Sequence, residues 1–145
     1  MYWTEWGGER ARIARAGMDG SSIESVVTQD IWQPNGLAID YFTKRLFWTD
    51  GNGTIQSSWL NGTNRLTIVN ETGKFEPYGA AVWNGYVFWS DRKTNALYSV
   101  SQHGEILDIV HGLDRPSGME IVYPENQLKG TSSFILLFFF FASLK

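Results

Sequence analysis

The sequence predicts an all-β fold, a partial β-propeller of about three four-stranded antiparallel blades, on the strength of three periodic markers. Tyr2-Trp3-Thr4-Glu5, Phe47-Trp48-Thr49-Asp50 and Phe88-Trp89-Ser90-Asp91 start 45 and 41 residues apart. Gly20, Gly62 and Gly104 follow at intervals of 42. Pro34, Pro77 and Pro116 keep a similar beat, each with a glycine two residues on, at Gly36, Gly79 and Gly118. A repeat of roughly 40 to 50 residues made of short strands is the unit of a propeller blade.

The elements follow in order. Between markers, short runs of Val, Ile, Leu and aromatics alternate with polar residues and stop at Gly, Asn and Asp, which is the strand pattern; no segment carries a helical stripe. The first unit, about 1–33, has three strands and lacks an opening one. In the second, about 34–75, strands are predicted near Gly36 to Asp40, Arg45 to Thr49, Ile55 to Trp59 and Arg65 to Val69. Asp50-Gly51-Asn52-Gly53 and Asn61-Gly62 supply the left-handed residues that their hairpins need. A third unit, about 76–114, repeats the pattern, and a fourth starts at 115–125 with a strand near Met119 to Val122. Twelve strands make about three blades, fewer than the roughly four to eight that close a ring. The propeller is thus expected over 1–125.

Residues 126–145 read differently. The run Phe134 to Ala142, FILLFFFFA, would span about 14 Å as a helix, against about 30 Å of bilayer hydrocarbon. It is expected to be unstructured or non-native, closer to translated non-coding sequence than to a blade, and no membrane insertion is predicted. The opening Met-Tyr-Trp-Thr-Glu has neither the basic nor the apolar region of a signal peptide.

Composition narrows the chemistry. An apolar share of 43% with 19% charged residues supports a packed core. Twelve basic and 15 acidic residues, scattered, give a net charge of −3 and no electrostatic footprint for nucleic acid. The absence of cysteine excludes disulfides, thiol nucleophiles and Cys-rich zinc sites. No cofactor or metal is expected. Asp50-x-Asn52-x-Thr54 mimics a calcium loop, but Ile55 stands where a glycine is needed and Asn61 where a glutamate is. His103 and His111 lack zinc-helix spacing and are expected as surface histidines. Arg10 and Arg12 alternate away from Arg15, which dilutes any basic patch.

Strand alternation sends Phe47 and Thr49 to one sheet face and Trp48 and Asp50 to the other. Trp3, Trp48 and Trp89 are therefore expected to fill the wedges between blades, with the polar pair bonding backbone of the neighbouring blade. Antiparallel connectivity also sorts the loops. Trp6, Trp32 and Asn35 fall on one rim, a rigid indole pair beside an amide that donates and accepts. The sequons Asn52-Gly-Thr, Asn61-Gly-Thr and Asn70-Glu-Thr sit in loops or strand ends, Asn61 on the rim opposite Asn35.

At these markers the chain resembles the YWTD propellers of the low-density-lipoprotein receptor family, the class B repeats. MYWTEWGGERARIARAGMDG from Met1 to Gly20 and PNGLAID from Pro34 to Asp40 are similar to propellers of its receptor-related proteins. The resemblance covers roughly 1–125. It implies three blades of an expected six, the remaining blades of a parent propeller as partners, and a non-catalytic extracellular or cell-surface module that binds a protein or peptide ligand. It also implies that Asn35 takes an asparagine-containing peptide segment. Glu5 and Ser90 depart from the motif but keep its hydrogen-bonding capacity, Gln33 separates Trp32 from Pro34, and no cysteine-rich module follows. Two alternatives stay open: a lactonase or strictosidine-synthase-like propeller enzyme, and a nidogen-like matrix protein.

Overall fold

The computed structural model describes residues 1–7, 10–101, 104–122 and 135–139, so His103 lies outside the described residues. Among these the regular structure is all strand, and no helix is long and apolar enough to cross a membrane. β1 (Tyr2–Glu5), β2 (Arg12–Arg15) and β3 (Glu24–Val27) form a three-stranded sheet. β4 (Pro34–Asp40), β5 (Arg45–Asp50), β6 (Thr54–Trp59) and β7 (Leu66–Asn70) form a four-stranded meander. β8 (Pro77–Trp83), β9 (Tyr86–Asp91), β10 (Ala96–Ser101) and β11 (Ile106–Val110) form a second one. β12 (Gly118–Val122) pairs with β13 (Ile135–Phe139). Of residues 126–145, expected to be unstructured or non-native, only 135–139 are described, as the strand on the edge of β12.

The turns use the predicted chemistry. Gly53 and Gly62 adopt φ of 94° and 84°, and their amides donate back to Asp50 O and Trp59 O at 3.0 and 2.8 Å. Asn84 and Gly85, both at positive φ, close β8 onto β9. Asp40 caps its own turn, accepting from the Phe42 amide at 2.9 Å and the Thr43 hydroxyl at 2.7 Å.

Two seams hold the sheets together. In the first, Trp48 and Leu46 pack with Ile13 and Val27 of the preceding sheet. In the second, Trp89 and Val87 pack with Ile55 and Val69, and the Trp89 indole stacks on Tyr98 at 5.1 Å and meets the Phe75 ring edge-on at 5.7 Å. Phe47 joins the second seam while Trp48 joins the first. This is the alternation of a strand buried on both faces. The first strands lie side by side, β8 between β4 and β12. Sheets adjoining along their first strands, with wedges of aromatics between them, make this a sector of a β-propeller.

Pro34-Asn35-Gly36 is not a turn. It opens β4 with a register shift against β5 between Pro34 and Leu37, and Pro77-Tyr78-Gly79 does the same in β8. The glycines are required by proximity: a Cβ on Gly36 would stand 2.4 Å from Ala80 N, and one on Gly79 would stand 2.2 Å from Ser117 O.

Candidate binding face

The four-residue marker works as a latch. The Thr49 hydroxyl accepts from the Gly36 amide of its own sheet at 2.9 Å and donates to Tyr78 O of the next sheet at 2.6 Å. Ser90 does the same with Gly79 N at 2.9 Å and Ser117 O at 2.6 Å, and Thr4 donates to Asn35 O at 3.1 Å. The acceptor is each time the residue after the repeated proline. The amide taken off the ladder by the bulge is thereby satisfied, as a buried polar group requires. The aspartates grip a different target from the one the sequence implied. Asp50 accepts from the amides of Trp32 and Gln33 at 2.8 and 2.9 Å, and Asp91 accepts from Glu76 at 2.7 Å and Thr94 at 2.9 Å. Both hold the connection entering their own sheet, because a short carboxylate at the end of the second strand faces back toward it. Glu5 instead accepts from Arg12 Nε at 2.8 Å and Trp3 Nε1 at 2.5 Å. Those bonds hold its carboxyl below the ordinary value and raise that of Arg12.

By fixing the Trp32 backbone, Asp50 sets the indole outward, 64% exposed. Trp6, 49% exposed, follows β1 on the same rim. Trp6, Arg10, Thr28, Ile31, Trp32 and Gln33 surround one cleft of about 530 Å³. On its other side Trp32 lines a second cleft with Asn52, Phe75, Glu76 and Lys93. Asn35 does not line the first cleft. It is half-buried, its Nδ2 donating to Pro77 O at 3.2 Å and its Oδ1 buried without a protein partner. The structure thus brings the two tryptophans together and sets Asn35 apart from them, in the seam between β4 and β8.

Other residues shape this rim with no signal in the sequence. Arg65 reaches across the first seam to the carbonyls of Gln29 and Asp30, while its guanidinium lies 5.3 Å from the Trp48 ring centre. Burial lowers its pKa, opposed by Asp30 and Asp50. Lys93 donates to Gly73 O. On the opposite rim the hydroxyl of the marker residue Tyr2 donates to Leu60 O at 3.0 Å. Contacts of this kind depend on side-chain reach across a seam, which no sequence period encodes. Each sequon asparagine accepts from its own threonine hydroxyl, at 2.8 Å for Asn52, 2.7 Å for Asn61 and 3.3 Å for Asn70. Asn61 and Asn70 are exposed and Asn52 is half-buried.

Residues 1–41 match the low-density lipoprotein receptor repeat class B. That segment is one receptor class B repeat. The whole sequence is 38% identical over 100 residues to vitellogenin receptor Yl of Drosophila melanogaster, an alignment that takes in 68% of this chain and 5% of that receptor. A crystal structure of a nidogen/laminin complex matches it with a TM-score of 0.72 at 23% identity, over 81% of this chain and 45% of the matched one. A gluconolactonase of Xanthomonas campestris matches with a TM-score of 0.61 at 20% identity, over 77% and 38% of the two chains. At such identities the two structural likenesses report the fold alone.

Proposed function

We propose that this chain is a non-catalytic binding module of an extracellular or cell-surface receptor, and that it presents the rim with Trp6 and Trp32 to a protein or peptide ligand. The observation that carries this is the pair of exposed indoles around one cleft, with the Trp32 backbone clamped by the buried Asp50 carboxylate. Rigid aromatic anchors beside a concave surface are the usual centre of a binding hot spot. Asn35, braced against Pro77 O, offers a preorganised amide beside this rim for the backbone of an asparagine-containing peptide. The vitellogenin-receptor likeness supports a binding role by relationship. The gluconolactonase likeness extends only to a fold that hosts many functions.

The test is to pan a phage-displayed library of linear peptides against the chain and measure the affinity of the selected peptides. Trp32→Ala is expected to weaken them tenfold or more, Asn35→Ala to weaken the asparagine-containing ones, and neither to abolish the folded circular-dichroism signal. Trp59, half exposed beside Asn61 on the other rim, is the control. Equal loss with Trp59→Ala, or no selected peptide, contradicts the assignment. We also propose that Asn61 is the first sequon glycosylated in a secretory host, being exposed with its threonine hydroxyl in place. Glycopeptide mass spectrometry that finds Asn61 bare while Asn52 is occupied contradicts it.

A further inference from the structure

At the tip between β6 and β7 the Gly62 amide donates to Trp59 O at 2.8 Å and the Trp59 amide donates to Thr63 O at 2.9 Å. Gly62 takes a left-handed φ of 84°. These are the bonds of a three-residue hairpin loop, a type I turn closed by a glycine bulge. Trp59 and Thr63 thus stand opposite one another at the mouth of the loop, on one face. The Thr63 amide and hydroxyl both donate to Asn61 Oδ1, at 3.1 and 2.7 Å. Trp59 and Asn61 line one cleft of about 450 Å³ with Arg15, Thr43, Lys44 and Leu60.

The turn itself does not call for a tryptophan. The same two backbone bonds recur in turns that begin at Gly17 and Ser101, so a glycine and a serine serve where Trp59 stands. In the first of them Asp19 Oδ1 accepts from the Ser21 amide and hydroxyl at 3.0 and 2.7 Å, a copy of the Asn61–Thr63 pair. Among these three turns the middle one alone sets an aromatic residue two positions before an Asn-x-Thr sequon. That aromatic residue is 50% exposed. The tip is also braced from the neighbouring sheet. Leu60 O accepts from the Tyr2 hydroxyl at 3.0 Å and from Arg15 at 3.2 Å, and a Cβ on Gly62 would stand 2.2 Å from Val26 O.

Resting on the reading of Asn61 as a glycosylated sequon, we propose that Trp59 is the platform on which its glycan docks. The first N-acetylglucosamine, carried on Asn61 Nδ2, lays its C–H face on the indole, fastens the β6–β7 tip and covers the apolar surface of that rim. In the transfer, the C1–O bond to a polyprenyl pyrophosphate carrier breaks, the C1–Nδ2 bond forms, and an Nδ2 proton leaves with the pyrophosphate. The Thr63 hydroxyl occupies Oδ1 and so turns Nδ2 outward for this bond. The electron-rich indole face attracts the weakly positive C–H bonds of the sugar, while Arg15, Thr43 and Lys44 across the cleft offer donors to its oxygens. Because the turn is already ordered by the first sheet, docking pays little of the entropy that a mobile loop would cost.

Asp19 shows which control fits: Asn61→Asp keeps the acceptor for Thr63 and carries no glycan. The full chain is secreted from a eukaryotic host with Asn52→Asp and Asn70→Asp, so that Asn61 is the one sequon left, and its glycan is trimmed enzymatically to a single N-acetylglucosamine. Relative to Asn61→Asp, the sugar is expected to raise the melting midpoint by about 2–4 °C. Its protons are expected upfield of those in free N-acetylglucosaminyl-asparagine, because they lie over the indole. Both effects are expected to vanish with Trp59→Ala and to persist with Trp59→Phe, whereas Trp59→Ala on the Asn61→Asp background changes the midpoint little. Sugar protons at their free positions in the chain with Trp59, or the same gain in midpoint with Trp59→Ala, overturn the platform and leave occupancy standing. A chain secreted with Asn61 bare overturns both.

Discussion

A single hydroxyl at Thr49 serves two sheets, and its removal leaves two backbone groups at Gly36 and Tyr78 unsatisfied. Thr49→Val keeps the shape and deletes the bonds; with each of the two buried unsatisfied groups costing about 1–3 kcal/mol, a loss of about 2–6 kcal/mol is expected in urea unfolding. A loss below about 0.5 kcal/mol, the size typical of an ordinary surface substitution, would show that the latch contributes nothing. Ser90 keeps the same bonds with a smaller side chain, which is why the motif tolerates that exchange. Glu5 gives a pH-dependent prediction. Its carboxyl is held below the ordinary value of 4.5 by Arg12 first and Trp3 second. A depressed carboxylate contributes stability that is present above its unfolded pKa and lost as pH falls through the folded one. Glu5→Gln should therefore lower stability slightly at pH 7, change little once the pH is below the folded pKa, and so flatten the acid limb below pH 4.5; an unchanged acid limb contradicts the pairing.

At the scale of elements, strand order, hairpin chemistry and the alternation of Phe47 against Trp48 were legible because period-two patterning and turn glycines act locally. The role of Pro34-Asn35-Gly36 was not. The tripeptide has the composition of a turn, and only the approach of β8 makes it a bulge whose glycine faces the next backbone. Gly36→Ala must push apart β4 and β8, whereas Gly20→Ala, with nothing within 4 Å, meets only backbone strain. Gly36→Ala is expected to lower the melting midpoint by more than Gly20→Ala, and the reverse order contradicts the close crossing. Similarly, the rim of Trp6 and Trp32 was legible from connectivity, while the anchoring of Trp32 by Asp50 was not, since it joins positions 18 residues apart through a loop.

At the scale of the molecule, stability resides in the two seams around Trp48 and Trp89, because each sheet alone has both faces to cover. Trp48→Ala and Trp89→Ala should each cost about 3–5 kcal/mol and should uncouple different pairs of sheets. A chain built this way unfolds by seams, with the central sheet β4–β7 held on both sides and protected longest.

The central claim is that recurring carboxylates and hydroxyls lock successive sheets into a propeller sector. Native-state hydrogen exchange at the amides of Trp32, Gln33 and Glu76 tests it most directly, since all three lie before their strands and are held only by Asp50 and Asp91. The account predicts protection of these loop amides comparable to that of the β5 and β9 ladders; exchange at free-peptide rates while those ladders stay protected would contradict it.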